Sequence, residues 1–346
     1  MDELLSTNKI RKLIPQPLRQ TVSRMILNSK EKLFPQTRFS HTYEGKLAMR
    51  TYFQCPEMRL LFCEGLPTHN ADGMSIVRKT DILLCLIPWV LGEALLRKEL
   101  SALRQFRLKP NQIVVLCNTQ EDLEIVRKFG FQAEYVNHNC WLDQSIFKPR
   151  KKIVKDLDAV LNAKPCAWKR AELSAGIHSK AVLTYIPYPE ELKRKLGTTE
   201  YFECLPSEKV ATLLNRAKIG LCLSSEEGAC YSSSEYLLSG IPVVSTPSKG
   251  GRHIWYTPRN HMICEPTVES VALTVERLID SDLDGETIRN EHIELAQIFR
   301  QRFVQLTYKL GQSRGIEANW ASVFQDQYFH KMVTFRATQD VLRELR

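Results

Sequence analysis

The 346-residue sequence contains ten cysteines but no C-x-x-C pair. Cys55, Cys63, Cys85, Cys117, Cys140, Cys166, Cys204, Cys222, Cys230 and Cys264 are scattered along the chain. Several lie in apolar runs (Cys85 in ILLCLI, Cys117 in IVVLC, Cys222 in IGLCLS), where a thiol acts as a small buried hydrophobe. This placement argues against a disulfide framework and structural zinc, and for a reducing compartment. A membrane-spanning run is also missing. The longest apolar stretch, residues 82–96, is broken by Pro88 and Glu93 and falls short of the ~20 residues a span requires. The opening MDELLSTNKIRK has no signal-peptide apolar segment. The expectation is a cytoplasmic protein, with contact at the inner face of the plasma membrane left open. There is no internal repeat, and 15 Gly and 16 Pro exclude low-complexity architectures.

What is present fits an ordinary globular chain, 43% hydrophobic and 25% charged. The length suggests two domains. Lys and Arg number 48 against 39 Asp and Glu, a surplus of nine positive charges. Such a surplus suits nucleic acid, a membrane surface or a phosphorylated small molecule. The basic residues are spread out and form no DNA- or RNA-binding motif, which sets nucleic acid aside. Residues 1–57 read as a basic, helical N-terminal extension, with IRKLIPQPLRQTVSRMILNSKEKLF placing apolar residues at three- and four-residue intervals. It is either a solvated helix packed on the protein or a membrane-surface helix with a cationic face.

From Met58 short apolar runs alternate with helical periodicity. RLLFC (59–63), ILLCLI (82–87), QIVVLC (112–117) and FQAEYVN (131–137) read as strands, with a helix from Glu121 to Phe129 closed by Gly130. The stretch 149–152, PRKK, reads as a linker. A second series follows: DAVLNA (158–163), KAVLTYI (180–186), EYFECL (200–205), KIGLCLS (218–224) and PVVST (242–246). Helices fit Glu208–Ala217, Ser232–Ser239 and Val268–Ile279. Strands alternating with helices imply parallel α/β sheets. The expected division is 1–57, a first α/β domain at 58–150, a second at 151–315 and a C-terminal helix at 316–346 that returns toward the first domain.

The segment from Leu223 to Gly251, LSSEEGACYSSSEYLLSGIPVVSTPSKGG, carries the chemistry. A strand ends near Ser225, and a loop follows with Glu226, Glu227 and Gly228. Ser232, Ser233 and Ser234 suit the N-cap of a helix containing Glu235, which Gly240 ends. A helix N-terminus and the Gly250–Gly251 loop beyond the next strand both offer backbone amides to an anion.

Glu227 and Glu235 form an E-x7-E pair followed by YLLSGIPVVST and a Gly-Gly loop. This resembles the donor-binding segment of GT-B nucleotide-sugar glycosyltransferases, in the large retaining group called family 4. HNCWLDQSIFKP (138–149) resembles the segment that closes the family's N-terminal domain. LNAKPCAWKR (161–170) resembles the segment bearing two basic residues, here Lys164 and Lys169. CNTQEDLEIVRKFGF (117–131) resembles the last strand–helix unit of that domain. The resemblance covers residues 112–279 and implies two Rossmann-like domains facing a central cleft, with a reduced N-terminal one.

The resemblance also implies roles. Lys164 and Lys169 would grip the donor diphosphate and stabilise the charge that develops as the sugar–phosphate bond breaks. The family usually has Arg first; a Lys there remains a phosphate binder but lacks the bidentate fork. Glu235 would accept hydrogen bonds from the ribose hydroxyls, its ionised form favoured by a place in the first helical turn. Glu227, with Glu226 as the adjacent alternative, would contact the donor sugar. Ser233, Gly250, Gly251 and Arg252 complete the expected donor site, and Leu205 falls where backbone atoms read the base. A Glu usual in the Gly-Gly loop is replaced by Ile254. His69 and Asp72, in GLPTHNADG, are the only early candidates for the family's sugar-contacting His, but a turn rich in Asn, Asp and Gly needs no function to explain it, and that reading is preferred. His138 reads as structural. The resemblance implies metal independence, with which the absence of a D-x-D pair in a strand-end loop accords, and no cofactor beyond the nucleotide-sugar donor.

The function these features imply is transfer of a sugar from a nucleotide-diphosphate sugar to a hydroxyl of a glycan or glycolipid acceptor. The resemblance implies retention, with the leaving diphosphate taking the proton from the attacking hydroxyl on the same face, which fits the absence of an obvious side-chain base. Bacterial cell-envelope polysaccharide or lipopolysaccharide synthesis is the setting implied by analogy, with peripheral membrane contact through the basic N-terminus. The alternatives are a GT-B epimerase or nucleotide-sugar hydrolase, or a catalytically inert partner- or membrane-binding subunit.

Overall fold

The computed structural model describes residues 45–281 and 283–346. Five strands build the first sheet, in the order they occur: β2 (Met49–Gln54), β3 (Arg59–Glu64), β4 (Asp81–Leu86), β5 (Ile113–Cys117) and β6 (Gln132–Tyr135). β2 runs antiparallel to β3, and the other neighbours pair in parallel. β4 and β5 are buried along their whole length, as their unbroken apolar runs require of parallel strands covered on both faces. Between them runs α1 (Glu93–Phe106), and α2 (Gln120–Lys128) links β5 to β6. Thr119 caps α2 by accepting the Asp122 N–H at 2.9 Å. Acidic Glu121 and Asp122 open that helix and basic Arg127 and Lys128 close it, each matched to the helix dipole.

The second sheet is wholly parallel. Its strands are β7 (Leu157–Asn162), β8 (Lys180–Thr184), β9 (Glu200–Glu203), β10 (Ala217–Cys222), β11 (Val243–Ser245) and β12 (His261–Ile263), in the spatial order β12-β11-β10-β7-β8-β9. The chain builds outward from β7 to β9, then returns to place β10 on the other side of β7. Strand order therefore reverses between β7 and β10, and the crevice at their carboxyl ends is where ligands of open α/β sheets bind. Helices α3 (Glu190–Leu196), α4 (Ser207–Leu214), α5 (Tyr231–Leu238) and α6 (Val268–Ile279) cover this sheet. α5 sits directly on β10. A Cβ on Gly220 would lie 2.3 Å from the Tyr236 ring, so only Gly allows this approach.

The C-terminal part crosses back to the first sheet. α7 (Gly285–Gln312) starts against the end of α5, with Gly240 and Gly285 in contact. It ends on an aromatic cluster in which the Phe303 ring lies 5.3, 5.4 and 5.1 Å from Tyr52, Phe62 and Trp141. After α8 (Trp320–Gln327), β13 (Arg336–Ala337) pairs antiparallel with β1 (Lys46–Leu47), and α9 (Thr338–Leu345) packs on β2. Arg59 is buried in an ion pair with Asp81 (2.6 Å) and also donates to the Leu345 carbonyl.

Three expectations change. The helical extension assigned to 1–57 does not reach its end: Lys46–Leu47 and Met49–Gln54 are strands. MRTYFQ forms an edge strand held by backbone pairing with β3, which spacing alone does not reveal; residues 1–44 lie outside the described residues. The helix expected to reach Ala217 stops at Leu214, because Ala217 already pairs with Leu157 in β10. The segment 316–346 is two short helices and a strand, not one helix. All ten cysteines are free thiols, and seven are buried. No helix among the described residues is long and apolar enough to cross a membrane.

The aromatic cluster makes a stability prediction. Phe303→Ala should cost about 3–5 kcal/mol in chemical denaturation, as for other buried Phe truncations. Tyr308→Ala, on the exposed side of the same helix, should change stability by less than about 0.5 kcal/mol.

Candidate functional site

A cavity of about 610 Å³ opens between the carboxyl ends of the two sheets. The first sheet contributes Glu64 at the end of β3, with Pro88 and Trp89 beyond β4. The second contributes Asn162 and Lys164 after β7, Trp168 and Lys169 in the following turn, Glu226 and Glu227 after β10, and Tyr231 and Glu235 on α5. Lys331 and Phe335, from the C-terminal segment, close one wall. A smaller cavity of about 160 Å³ adjoins it, lined by Thr184, Phe202, Leu205 and Ser207, and shares Asn162, Tyr185, Glu235 and Lys331 with the larger one.

The strand order brings the charged groups together. The Ser225 N–H donates to the Trp168 carbonyl at 2.8 Å, joining the loop after β10 to the turn that carries Lys169. Lys169 and Glu227 then form a close ion pair with both side chains largely buried. Burial works against charge on Lys169, but Glu227, with Cys230 and Cys166, outweighs it and holds the ammonium above lysine's usual range. Lys164 is pushed down, first by burial and then by Lys169; its ammonium lies 5.2 Å from the centre of the Trp168 ring.

Glu235 is almost fully buried. Asn162 donates its amide to one carboxylate oxygen at 2.9 Å, and Lys331 pairs with the other at 3.2 Å. The Asn162 N–H donates to the Tyr236 hydroxyl at 2.7 Å, so the β7 terminus is locked to α5.

The structure moves several expected residues. α5 begins at Tyr231, with Cys230 as its N-cap at φ 62°. The three serines therefore lie inside the helix and none caps it. Ser233 is buried and turns its hydroxyl back to the Cys230 carbonyl at 2.9 Å, away from the cavity. Glu235 is the fifth helical residue, past the first turn, and its carboxylate partners are Asn162 and Lys331. Arg252 is fully buried and bonds to the Ser224 hydroxyl (2.5 Å) and the Thr246 carbonyl (2.6 Å), tying β10 to β11 away from the cavity. The Gly251 N–H is committed to the Gly228 carbonyl at 2.6 Å. Gly250, at φ 110°, lies so close to the chain at Glu227 that a Cβ would fall 1.5 Å from the Glu227 carbonyl oxygen.

Leu205 lines the smaller cavity. Ile254 packs on the apolar core. His69 packs against Trp89 with ring centres 4.4 Å apart and planes tilted by 38°, and Asp72 is exposed. His138 is buried with its Nε2 2.9 Å from the Leu116 carbonyl, and burial pushes it down to about 4.

Glu64, Asn162 and Lys331 are the site residues that motif reading does not single out. A visible signal existed for Glu64, an acid ending an apolar strand before a Gly. Among the described residues no donor hydrogen-bonds its carboxylate, and burial raises it to about 7 against the pull of Lys331. No group of acidic, His and Cys side chains that could hold a metal occurs among the described residues.

No protein-family model and no curated protein sequence matches the chain. Solved structures do. Anabaena HepE in complex with UDP superposes with a TM-score of 0.53 at 15% identity, over 67% of this chain and 72% of that one. Sucrose-phosphate synthase from Thermosynechococcus elongatus gives 0.52 at 15%, over 68% and 69%. A variant of S. aureus TarM in complex with fondaparinux, alpha-GlcNAc-glycerol and UDP gives 0.52 at 14%, over 66% of this chain; the chain spans about half of that protein (51%). The chain has the GT-B fold. Two largely parallel sheets facing a cleft is the GT-B arrangement, and here the C-terminal segment of the chain contributes to the wall of that cleft.

The raised pKa of Glu64 gives a pH signature. A carboxyl that binds its proton more tightly folded than unfolded lowers stability as pH rises between the two pKa values, here from the ordinary 4.5 to about 7. Glu64→Gln should raise the melting temperature above wild type at pH 8. That advantage should vanish as the pH falls toward 4.5.

Proposed function

We propose that the protein is a glycosyltransferase that moves a sugar from a nucleotide-diphosphate sugar to a hydroxyl of a glycan or glycolipid. The observation that carries this reading is the meeting of Lys164, Lys169, Glu227 and Glu235 around one cavity at the strand-order reversal. In this reading the base lodges beside Leu205, and the ribose hydroxyls take Glu235. Lys164 and Lys169 hold the diphosphate, and Glu227, fixed by Lys169, faces the donor sugar. Gly250 keeps the Glu227 loop in place. Fixed cations stabilise the leaving group most where charge develops, in a cleft shielded from water. UDP bound to HepE and glycan bound to TarM support a uridine nucleotide and a glycan acceptor by analogy.

Bacterial envelope polysaccharide synthesis is proposed on the same analogy, since these similar structures come from bacteria. For stereochemistry we propose retention, with the attacking hydroxyl losing its proton to the departing diphosphate on the same face. One observation favours inversion instead: Glu64 is a carboxylate on the first-sheet side of the cavity that titrates near neutrality. The anomeric configuration of the product, read from the coupling constant of its anomeric proton, decides between the two.

Lys169→Ala and Glu235→Ala should each lower donor turnover by about 10²–10³-fold, the loss typical of removing one preorganised charge-stabilising group, while the melting temperature shows the variants folded. Wild-type rates in both would remove the site assignment. A thermal-shift screen of wild type against UDP, GDP and ADP should show one diphosphate raising the melting temperature.

A further inference from the structure

The C-terminal segment delivers one cation into the cleft. Lys331 lies far from the donor-binding motifs in sequence, yet its side chain lines both the larger and the smaller cavity. The four residues shared by the two cavities are Asn162, Tyr185, Glu235 and Lys331. Both spaces border these four residues, and Lys331 is the sole cation among them. With the base beside Leu205 and the diphosphate at Lys164 and Lys169, the ribose and the first phosphate lie at this shared border.

The ammonium is held from several sides. It pairs with Glu235 at 3.2 Å and lies 5.0 Å from the centre of the Tyr231 ring. It also faces Glu64 across the cavity, close enough to lower that carboxyl's pKa. The backbone beneath is strained. Lys331 and Met332 both adopt left-handed conformations, at φ 67° and 63°, which side chains other than Gly rarely take. Such strain persists only where the surroundings enforce it. Here the Lys331 N–H donates to the Trp141 carbonyl at 3.0 Å, Arg50 donates to the Met332 carbonyl at 2.6 Å, and Met332 is fully buried. The fold thus fixes the backbone under a side chain that is itself one-third exposed to the cavity.

We propose that Lys331 is a phosphate-binding residue of the donor site, supplied by the C-terminal segment, which neutralises Glu235 while the cleft is empty. The inference rests on the donor-site reading above. When ribose hydroxyls hydrogen-bond Glu235 they displace the ammonium from it. The first phosphate then lies one sugar unit from Glu235, within the sweep of the freed lysine stem. Lys331 becomes the third cation on the diphosphate, beside Lys164 and Lys169. The site recognises a nucleoside diphosphate as a unit: the ribose frees the charge that the phosphate takes.

The test compares each nucleoside diphosphate with its own nucleoside, by calorimetry on the full chain. The probes are UDP with uridine, GDP with guanosine and ADP with adenosine. For the pair that wild type binds, Lys331→Met keeps the apolar stem and removes the charge. It should weaken diphosphate binding tenfold or more and leave nucleoside binding unchanged or tighter, because Glu235 no longer has to be freed. Lys331→Arg should restore most of the diphosphate affinity, and it carries the test if the Met variant does not fold: a folded Arg variant that keeps the wild-type preference for diphosphate over nucleoside supports the proposal, and one that loses it overturns it. The proposal is also overturned if Lys331→Met leaves the diphosphate affinity unchanged, tightens both ligands equally, or weakens both equally. Wild type that binds none of the three diphosphates removes the sugar-transfer reading itself, an outcome separate from these.

Discussion

The arrangement of this protein depends on where strand order reverses in its second sheet. β7 and β10 lie side by side although residues 163–216 separate them, and both point their carboxyl ends at the same crevice. The loop after each strand carries charge: Lys164 and Lys169 after β7, Glu226 and Glu227 after β10. A buried lysine without a partner carries a large desolvation cost. The crossing of the loops, joined by the Ser225–Trp168 hydrogen bond, puts Glu227 against Lys169 and offsets that cost. The same contact that makes the cation tolerable inside the fold fixes it where an anion can reach it.

The cleft then carries a balance of charge spread over three parts of the chain. Glu64 comes from the first sheet, Lys164, Lys169, Glu227 and Glu235 from the second, and Lys331 from the returning segment. Each strongly buried member has an opposite neighbour: Lys169 has Glu227, and Glu235 has Lys331. Burial raises the ionisation of Glu64 to near neutrality, against the pull of the facing Lys331. A site built this way answers to its ligand as a whole, because drawing off one charge leaves its neighbour exposed.

Much of this was legible in the chain, and the reasons are specific. The parallel strands read clearly because ILLCLI and IVVLC are apolar throughout, as two-sided burial demands. That Lys169, Glu227 and Glu235 line one cavity could be anticipated because the segments carrying them are local motifs. β2 was lost because an edge strand in MRTYFQ is held by pairing with RLLFC, and nothing local shows that pairing. The serines of α5 misled because Ser at a helix start suggests a cap, whereas left-handed Cys230 moves the start one residue earlier. Arg252 beside a Gly-Gly loop suggested an anion contact, but its guanidinium is spent on joining two strands. Lys331 left no trace, since its place in the cleft arises from a tertiary return of the chain and a lysine among KMVTF carries no pattern.

The return of the chain also orders events in time. During synthesis the second sheet can complete itself soon after β12 emerges, since its strands and their crossovers are contiguous. The first sheet cannot finish in the same way. Phe303, the β13 partner of β1 and the Leu345 carbonyl that receives Arg59 all come from the far side of the second sheet. A nascent chain therefore holds a nearly complete second sheet while the first waits for its aromatic and C-terminal contacts. The cleft gains its full complement of charge only once the returning segment that carries Lys331 has docked.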